Sequence, residues 1–368
     1  MPQPVKIGLI GCGDISSAYL GHAPVFPILK VVACADLDRD RARARAEEFN
    51  IPRALSVEKL LDDPDIEIVL NLTIPRAHLP VARQTIQSGK HAYSEKPLGL
   101  DRVEARALLE DAAASGLRVG CAPDTFLGAG LQTARKVIDD GMIGVPVAAT
   151  AFMMSHGPED WHPSPEFFYQ PGAGPMFDMG PYYLTTLLNL LGPIKRLSGA
   201  AGITIPERTI GSQPLFGKKI TVATPDHIAG TLEFAQGAIA TLITSFSIHQ
   251  GQYESAFPIT IYGTEGTLKV PDPNHFDGRV PLFRNGEWQD APHAFPTGYE
   301  RMVGVADMAH AIRSGRAHRA SGEQAYAVLD AMQGFLDSSE RGQAYAPASA
   351  YQRPVPMPTD LPFGTLDD

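Results

Sequence analysis

The sequence predicts two domains of different class. Residues 1–123 read as an α/β domain built on a parallel sheet, and residues 124–368 as an α+β domain with a large, mainly antiparallel open sheet. Three observations predict this. A chain of 368 residues is too long for one typical domain. Its first third alternates short apolar runs with helical segments, the signature of a parallel sheet covered on both faces. Beyond about Pro123 strands follow one another and helices come last, which is the α+β pattern.

The elements follow in order. "VKIGLIG" (Val5–Gly11) is a buried strand with a helix after it through Tyr19. "KVVACAD" (Lys30–Asp36) is a second strand, followed by the helix "RDRARARAEEF". "IEIVLNLT" (Ile66–Thr73) is a third, with a helix over His78–Ser88. "KHAYSEK" (Lys90–Lys96) precedes a helix from Asp101 to Ser115, and "RVGCAP" (Arg118–Pro123) closes the series. A helix over Leu131–Asp140 then leads into the strand "VPVAATAFMMS". A loop rich in aromatics and prolines (Gly157–Pro175) and one apolar helix (to Gly192) come next. The strand-like runs "KITVAT", "HIAGTLEFA", "AIATLITSFSI", "FPITIYGT", "GTLKVP" and "VPLFRN" follow, with a hairpin turn at Gln236-Gly237. Helices over Arg301–Gly315 and Gly322–Arg341 and a Pro-rich tail end the chain.

Composition excludes several function classes. A net charge of −10 leaves no basic stripe to neutralise phosphates, so no nucleic-acid partner is expected. No run of eighteen apolar residues implies a membrane span. The three cysteines, Cys12, Cys34 and Cys121, have no metal-ligand spacing, and an odd count fits a reduced compartment. The start "MPQPVKIGLIGCG" runs directly into a strand, so the expected location is the cytoplasm. No spaced ligand cluster points to a metal.

"GLIGCGDISSAYL" places Gly11, Gly13 and Ser16 in a G-x-G-x-x-G frame between a strand and a helix. The first glycine allows the tight turn and the second lets backbone approach a pyrophosphate. The helix N-terminus beyond it, at Asp14 and Ile15, offers N–H groups to that anion. Asp36 ends the next strand, twenty residues after Ser16, where a carboxylate accepts from an adenosine ribose. This is the Rossmann dinucleotide pattern. Asp36 favours NAD, because a carboxylate there repels a 2′-phosphate; Arg39 and Arg41 leave NADP open.

"YSEKPLG" (Tyr93–Gly99) ends another strand of that sheet. Ligands of such sheets sit at the carboxyl ends of the strands, which puts Glu95 and Lys96 on the edge that meets the nicotinamide. In "GPMFDMGPYYLTTLLNLLG" (Gly174–Gly192), Asp178, Tyr182, Thr185, Thr186 and Asn189 fall on one face of a helix whose other faces are leucine-rich. A polar stripe without Lys, Arg or Glu on a greasy helix is expected to face a cavity. Tyr183 points about 100° away from Tyr182 and is expected to pack.

These motifs together, with "NLTIP..H" (Asn71–His78), "IYGTEGTL" (Ile261–Leu268) and "HAIRSGRAHRASGEQAYAVLDAM", resemble the glucose–fructose oxidoreductase / inositol dehydrogenase / rhizopine-catabolism (Gfo/Idh/MocA) family over nearly the whole chain. The resemblance implies an NAD(P)-dependent oxidoreductase moving a hydride between nicotinamide and a secondary alcohol of a sugar, polyol or cyclitol. It maps a D-x-G-x-[HY] signature onto Asp178 and Tyr182. Tyrosine stands where many members have histidine, which resembles the branch containing glucose–fructose oxidoreductase and dihydrodiol dehydrogenase. The implied cofactor set is Gly11, Gly13, Asp14, Ile15, Asp36, Thr73, Pro75, His78, Glu95, Lys96, Trp161 and His162. The implied substrate set is Lys96, Thr125, His162, Asp178 and Tyr182. Trp161 and His162 stand where the family commonly has Trp-Arg; His156, Tyr169, His249 and Tyr299 are further substrate candidates.

The expected mechanism follows from proton bookkeeping. A free tyrosine titrates near pH 10, too high for an efficient base at neutral pH. A lysine beside the phenol would lower that value. Tyr182 is then the acid/base, Lys96 its electrostatic partner and Asp178 the orienter, with Lys96 as proton carrier still open. Two alternatives stand: a cofactor-retaining oxidoreductase that passes hydride between sugars or oxidises a glycoside ring carbon, and a non-catalytic NAD(P) sensor. One face of the second domain's sheet has no helix to cover it, so a homodimer or homotetramer through that sheet is expected.

Overall fold

The computed structural model describes residues 3–249, 256–359 and 361–367. Its contacts divide the chain into two compact units, one formed by residues 1–129, 294–329 and 354–368, the other by 130–293 and 330–353. The first unit thus holds two late segments that the sequence reading grouped with the second domain.

Unit 1 is a six-stranded sheet in the order β3-β2-β1-β4-β5-β6: Ala54–Leu55, Leu29–Ala35, Val5–Ile10, Ile68–Asn71, His91–Ser94 and Val119–Cys121. Every neighbouring pair is parallel. β4 is buried throughout, as expected of a strand covered on both faces. One part of the core joins Ile10, Val32, Ala33, Leu60, Ile66 and Val69. Gly8 leaves the space filled by Leu60 and Ile66, which would lie 2.9 Å from a Cβ there.

The helices start where capping chemistry allows. Asp38 accepts from the amides of Asp40 and Arg41 before α2 (Arg39–Glu48). Asp101 does the same for Val103 and Glu104 before α5 (Arg102–Ala114). α1 (Ile15–His22) precedes them, and α3 (Val57–Leu61) and α4 (Pro75–Gln87) lie between. Two of these elements escaped the sequence reading: β3 has only two residues and α3 only five, too few to show a period.

The late segments join unit 1 through specific contacts. The amide of Cys121 donates to Ala320 O at 3.1 Å, extending the β6 edge. Arg118 donates to the carbonyls of Arg316 and Ala311. α9 (Val303–Ser314) carries Asp307, fully buried between Arg316 and Arg319. Arg319 in turn donates to Val355 O at 3.0 Å. Tyr299 stacks between Phe26 and Phe363, with centroids at 5.7 and 4.8 Å. The pairings that tie these segments to the sheet have no local sequence signal: Arg118 and Arg316 stand 198 residues apart.

Unit 2 holds an eight-stranded sheet, β16-β15-β14-β13-β7-β12-β11-β8. In that order the strands are Glu287–Asp290, Pro281–Arg284, Thr267–Val270, Ile259–Gly263, Pro146–Met154, Ile239–Ser245, His227–Phe234 and Ile194–Gly202. Only β7–β12 is parallel; the other pairs are antiparallel. The expected hairpin joins β11 to β12, with Gly237 at φ +100°. A small hairpin, β9 (Glu207–Thr209) with β10 (Lys219–Thr221), stands apart from the large sheet. The sequence reading missed β8, β9 and β16. All four residues of β16 are exposed, so no apolar alternation marks it.

The helical part of unit 2 corrects one expectation. Gly174–Gly192 is two helices, α7 (Gly174–Asp178) and α8 (Gly180–Leu191), parted at Met179. Pro181 supplies no amide to continue the ladder from α7, which breaks there. Asp178 and Tyr182 therefore lie on successive helices rather than on one face of a single helix. α6 (Ala129–Asp139) precedes β7, and α10 (Gly322–Arg341) matches its expected bounds. Among the described residues no helix is long and apolar enough to cross a membrane.

Candidate active site

In unit 1 the cofactor candidates gather at one edge of the sheet. The strand order reverses between β1 and β4, and the carboxyl ends of β1, β2, β4 and β5 carry Gly11, Asp36, Thr73 and Lys96. Gly11 has φ +100°, and a Cβ there would sit 2.6 Å from the backbone of Leu72, so only glycine fits. At Gly13 a Cβ would meet nothing within 4 Å: the backbone faces open space, as close approach of a pyrophosphate requires. Asp14 and Ile15, at the start of α1, are exposed.

Asp36 is tied to the same loop. Its Oδ2 accepts from the Cys12 amide at 2.7 Å and its Oδ1 from the Asp38 amide at 2.9 Å. A carboxylate has about four lone-pair sites, so two remain for ribose hydroxyls. The residues present fit a nicotinamide dinucleotide. The cation that reaches the loop is Arg45, not Arg39 or Arg41. Arg45 Nη1 donates to Ser17 Oγ at 2.5 Å and Nη2 to Gly13 O at 3.4 Å. It lies two turns into α2.

Thr73, Pro75 and His78 form the next turn. Thr73 Oγ1 donates to Asn71 Oδ1 at 2.7 Å, and Pro75 opens α4 on the surface. His78 is buried: Nδ1 lies 2.6 Å from Pro97 O and Nε2 2.9 Å from Thr73 O. Burial pushes its pKa down, against the two carbonyls, which favour the cation. A neutral ring has one N–H, so His78 donates to one of the two carbonyls while lying between the Thr73 and Pro97 turns. Asn71 was missed, although one amide in the apolar run "IVLNL" is the signal that a buried strand carries a polar duty.

Glu95 and Lys96 follow β5, and the Lys96–Pro97 peptide is cis. Glu95 is buried: Oε1 accepts from Tyr19 Oη at 2.8 Å and Oε2 from the Lys96 amide at 2.8 Å. Burial raises its pKa, but Arg301, Lys96 and these hydrogen bonds outweigh it and hold the carboxyl below its ordinary value. Burial and the nearby carboxylates push the Tyr19 phenol up, so it stays a neutral donor. Asp124, fully buried, accepts from the Gly304 amide at 3.0 Å, with Arg301 Nη1 3.8 Å away. Burial raises Asp124 to about 6 despite that arginine. Thr125, beside it, is buried too. Sequence reasoning missed Tyr19, Asp124 and Arg301 because their meeting depends on a segment that returns from residue 301.

In unit 2, Asp178 closes α7 and is partly exposed, whereas Tyr182 is buried in the first turn of α8 with its amide 3.0 Å from Met179 O. Tyr183 is buried, in keeping with a packing role. The polar stripe does not face a cavity along its whole length. Asn189 is fully buried; its Oδ1 accepts from Arg135 at 3.0 Å and its carbonyl from Arg353 at 2.8 Å. Its far end is therefore structural.

The aromatic loop exposes Trp161 and Phe167, at 68% and 51%, while Phe168 and Tyr169 are buried. The His162 ring stands 5.5 Å from Trp161 and 5.2 Å from Phe168. The Ser164 amide donates to His162 Nδ1 at 3.0 Å. That bond leaves the proton of a neutral ring on Nε2, a donor for an incoming oxygen. His156 and His249 pack edge to face at 5.2 Å. Tyr169 and Tyr299 are buried and bonded within their own units, to Glu159 and Gly364.

Comparison with known proteins agrees with this geometry. Residues 5–122 match the model of the oxidoreductase family with an NAD-binding Rossmann fold, and residues 131–269 match the GFO/IDH/MocA C-terminal domain. The chain is 30% identical to trans-1,2-dihydrobenzene-1,2-diol dehydrogenase of Mus musculus, over 78% of this chain and 80% of that one. It is 25% identical to levoglucosan dehydrogenase of Pseudarthrobacter phenanthrenivorans, over 72% and 73%. Among solved structures, levoglucosan dehydrogenase in complex with NADH and L-sorbose superposes with a TM-score of 0.80 at 22% identity, covering 94% of this chain and all of that one. The glycine loop and Asp36, the lysine at the β5 edge and the large mixed sheet meet in one lineage: the chain belongs to the GFO/IDH/MocA family of NAD-binding oxidoreductases.

Proposed function

We propose that the protein is a dehydrogenase of a sugar, polyol or cyclitol, and that Lys96, Asp178 and Tyr182 carry its proton chemistry. The observation that supports this most is Lys96 at the carboxyl edge of the same sheet whose first turn is the glycine loop, its amide fixed by the buried Glu95 carboxylate. When bound, NAD supplies the hydride acceptor. The chain must then hold the substrate hydroxyl and remove its proton. Tyr182 takes that proton, Lys96 stabilises the phenolate, and Asp178 orients the hydroxyl or the ammonium. Gly11, Gly13, Asp14, Ile15, Asp36, Thr73 and Pro75 hold the cofactor. Trp161 offers a ring face to sugar C–H groups and His162 an N–H to a hydroxyl. The likeness to levoglucosan dehydrogenase and to trans-1,2-dihydrobenzene-1,2-diol dehydrogenase supports a vicinal-diol substrate.

The test is NAD⁺ reduction over a panel of aldohexoses, inositols and anhydrosugars, with Tyr182→Phe as the comparison. The variant should lose about 10³-fold in kcat while NAD affinity stays within about twofold. Near-wild-type turnover in Tyr182→Phe would remove the tyrosine from the acid/base role. Turnover of no panel member by a chain that binds NAD would favour a sensor.

The protein is proposed to work in the cytoplasm as a homodimer or homotetramer. Its three cysteines are all free and buried. One face of the large sheet leaves Ile239 and Tyr262 exposed at 53% and 42%. In register these side chains share a face with Ala148, so the patch is continuous. Sedimentation equilibrium checks this: a monomer at micromolar concentration would refute it, and Ile239→Lys should shift an assembly toward monomer.

A further inference from the structure

Between β7 and α7 runs a long loop that holds two exposed aromatic rings and makes no sheet of its own. Ordering such a segment costs about 1–2 kcal/mol per residue, so its position has to be fixed by something outside it. That something is the β9–β10 hairpin, and above all Arg208 on β9.

Arg208 is 3% exposed, and three of its acceptors, on Glu159, Asp226 and Phe246, are buried with it. Its Nη1 donates to His156 O and to Glu159 Oε1, both at 2.6 Å. Its Nη2 donates to Asp226 Oδ2 at 3.1 Å, Phe246 O at 2.8 Å and Ser247 Oγ at 3.1 Å. The guanidinium carbon lies 4.8 Å from the centre of the Tyr169 ring, and the Tyr169 hydroxyl donates to Glu159. One side chain thus binds both ends of the loop, at His156 and Tyr169, to the chain that follows β12. The hairpin adds a second grip: the amides of Gly211 and Ser212 donate to Glu159 O at 3.0 and 3.2 Å, and Ser212 Oγ donates to His162 O at 2.5 Å.

A buried ion cluster gives little net stability over an apolar core of the same shape, because desolvation offsets the attraction. What it gives is direction. A planar fork that donates to five acceptors and stacks on a ring admits one arrangement, and an ammonium with three donors cannot reproduce it.

We propose that Arg208 is a positioning residue for substrate binding: it fixes the loop that presents Trp161 and His162, without touching substrate itself. The proposal rests on the reading of that loop as a wall of the substrate site. Glycine at position 157 belongs to the same device. Its φ is +117°, and a Cβ there would stand 2.2 Å from Tyr169 Oη, so the loop closes over the cluster only without a side chain.

The sequence has two tryptophans, so Trp288→Phe leaves Trp161 as the sole reporter on the loop. In that background Arg208→Lys should raise acrylamide quenching of Trp161 by about twofold with no substrate present. It should also raise KM for the fastest panel substrate about tenfold, with kcat within about threefold and NAD affinity unchanged. Unchanged quenching in a folded Arg208→Lys variant would overturn the clamp whatever the loop binds. Increased quenching with an unchanged KM would leave the clamp in place and remove the substrate role of Trp161 and His162. If Arg208→Lys does not fold, Tyr169→Phe carries the test. It removes only the phenol bond to Glu159, and a smaller rise in the same readings is expected; none would overturn the proposal.

Discussion

The two halves of the candidate machinery are built on different principles. In unit 1 the binding groups are mostly main chain. The turn at Gly11, the open backbone at Gly13 and the amides of Cys12 and Lys96 are set by strand ends and by single carboxylates. In unit 2 the candidate groups are side chains, and contacts between distant segments place the loop that carries some of them. Arg208 gathers its partners from residues 156 to 247. A main-chain site is tolerant of most side-chain changes but intolerant at the few glycines that shape it. A side-chain site held by a remote clamp fails gradually, through position rather than through fold.

That difference can be broken or sharpened by experiment. The largest effect is expected at Gly11. Gly11→Ala forces a side chain into a φ of +100° and against the backbone of Leu72. NAD affinity should fall by about 100-fold or more, and the unfolding midpoint should drop by several degrees. Gly13→Ala is the counterpart. Its methyl meets nothing within 4 Å, so thermal stability should be unchanged while NAD titration still shows weakened binding. If both alanines changed stability and affinity alike, the distinction between shaping the turn and admitting the ligand would be lost.

A smaller effect concerns pH. Burial raises Asp124 to about 6, so the folded state holds its proton more tightly than the unfolded chain does. A group of this kind supports folding fully below its unfolded value, and that support is lost as pH rises through about 6. The two values differ by about 2 units, or about 3 kcal/mol. Other carboxylates, among them Asp307, whose burial is outweighed by Arg319 and Arg316, slope the opposite way. The measurement is therefore the difference between wild type and Asp124→Asn in urea unfolding from pH 4 to 7. Relative to the variant, wild type should lose stability across that range; parallel curves would show that Asp124 does not titrate there.

The legible parts of the molecule share one property: their signal is local. The glycine pair, Asp36 at the end of the next strand, twenty residues after Ser16, and the "SEKP" strand end are announced by period and turn chemistry. The same holds for the Gln236-Gly237 hairpin and for α10. The break at Met179 was hidden because the helix pattern continues through it, although Pro181 was in plain view. β16 and β3 were invisible because they are exposed or too short to carry a period. Arg45 was hidden because a charge on a polar helix reads the same whether it faces solvent or a phosphate loop.

The sequence by itself determined the class of both sheets, the cofactor loop and the candidate residues Lys96, Asp178 and Tyr182, since each rests on neighbours a few positions away. Only the tertiary structure decided what holds them. Arg301 and Asp124 near Glu95, and Arg208 beneath the aromatic loop, meet by chain return. Hydrogen bonds and ion pairs between residues so far apart leave no period, spacing or composition to read, because the chain between them is free to vary.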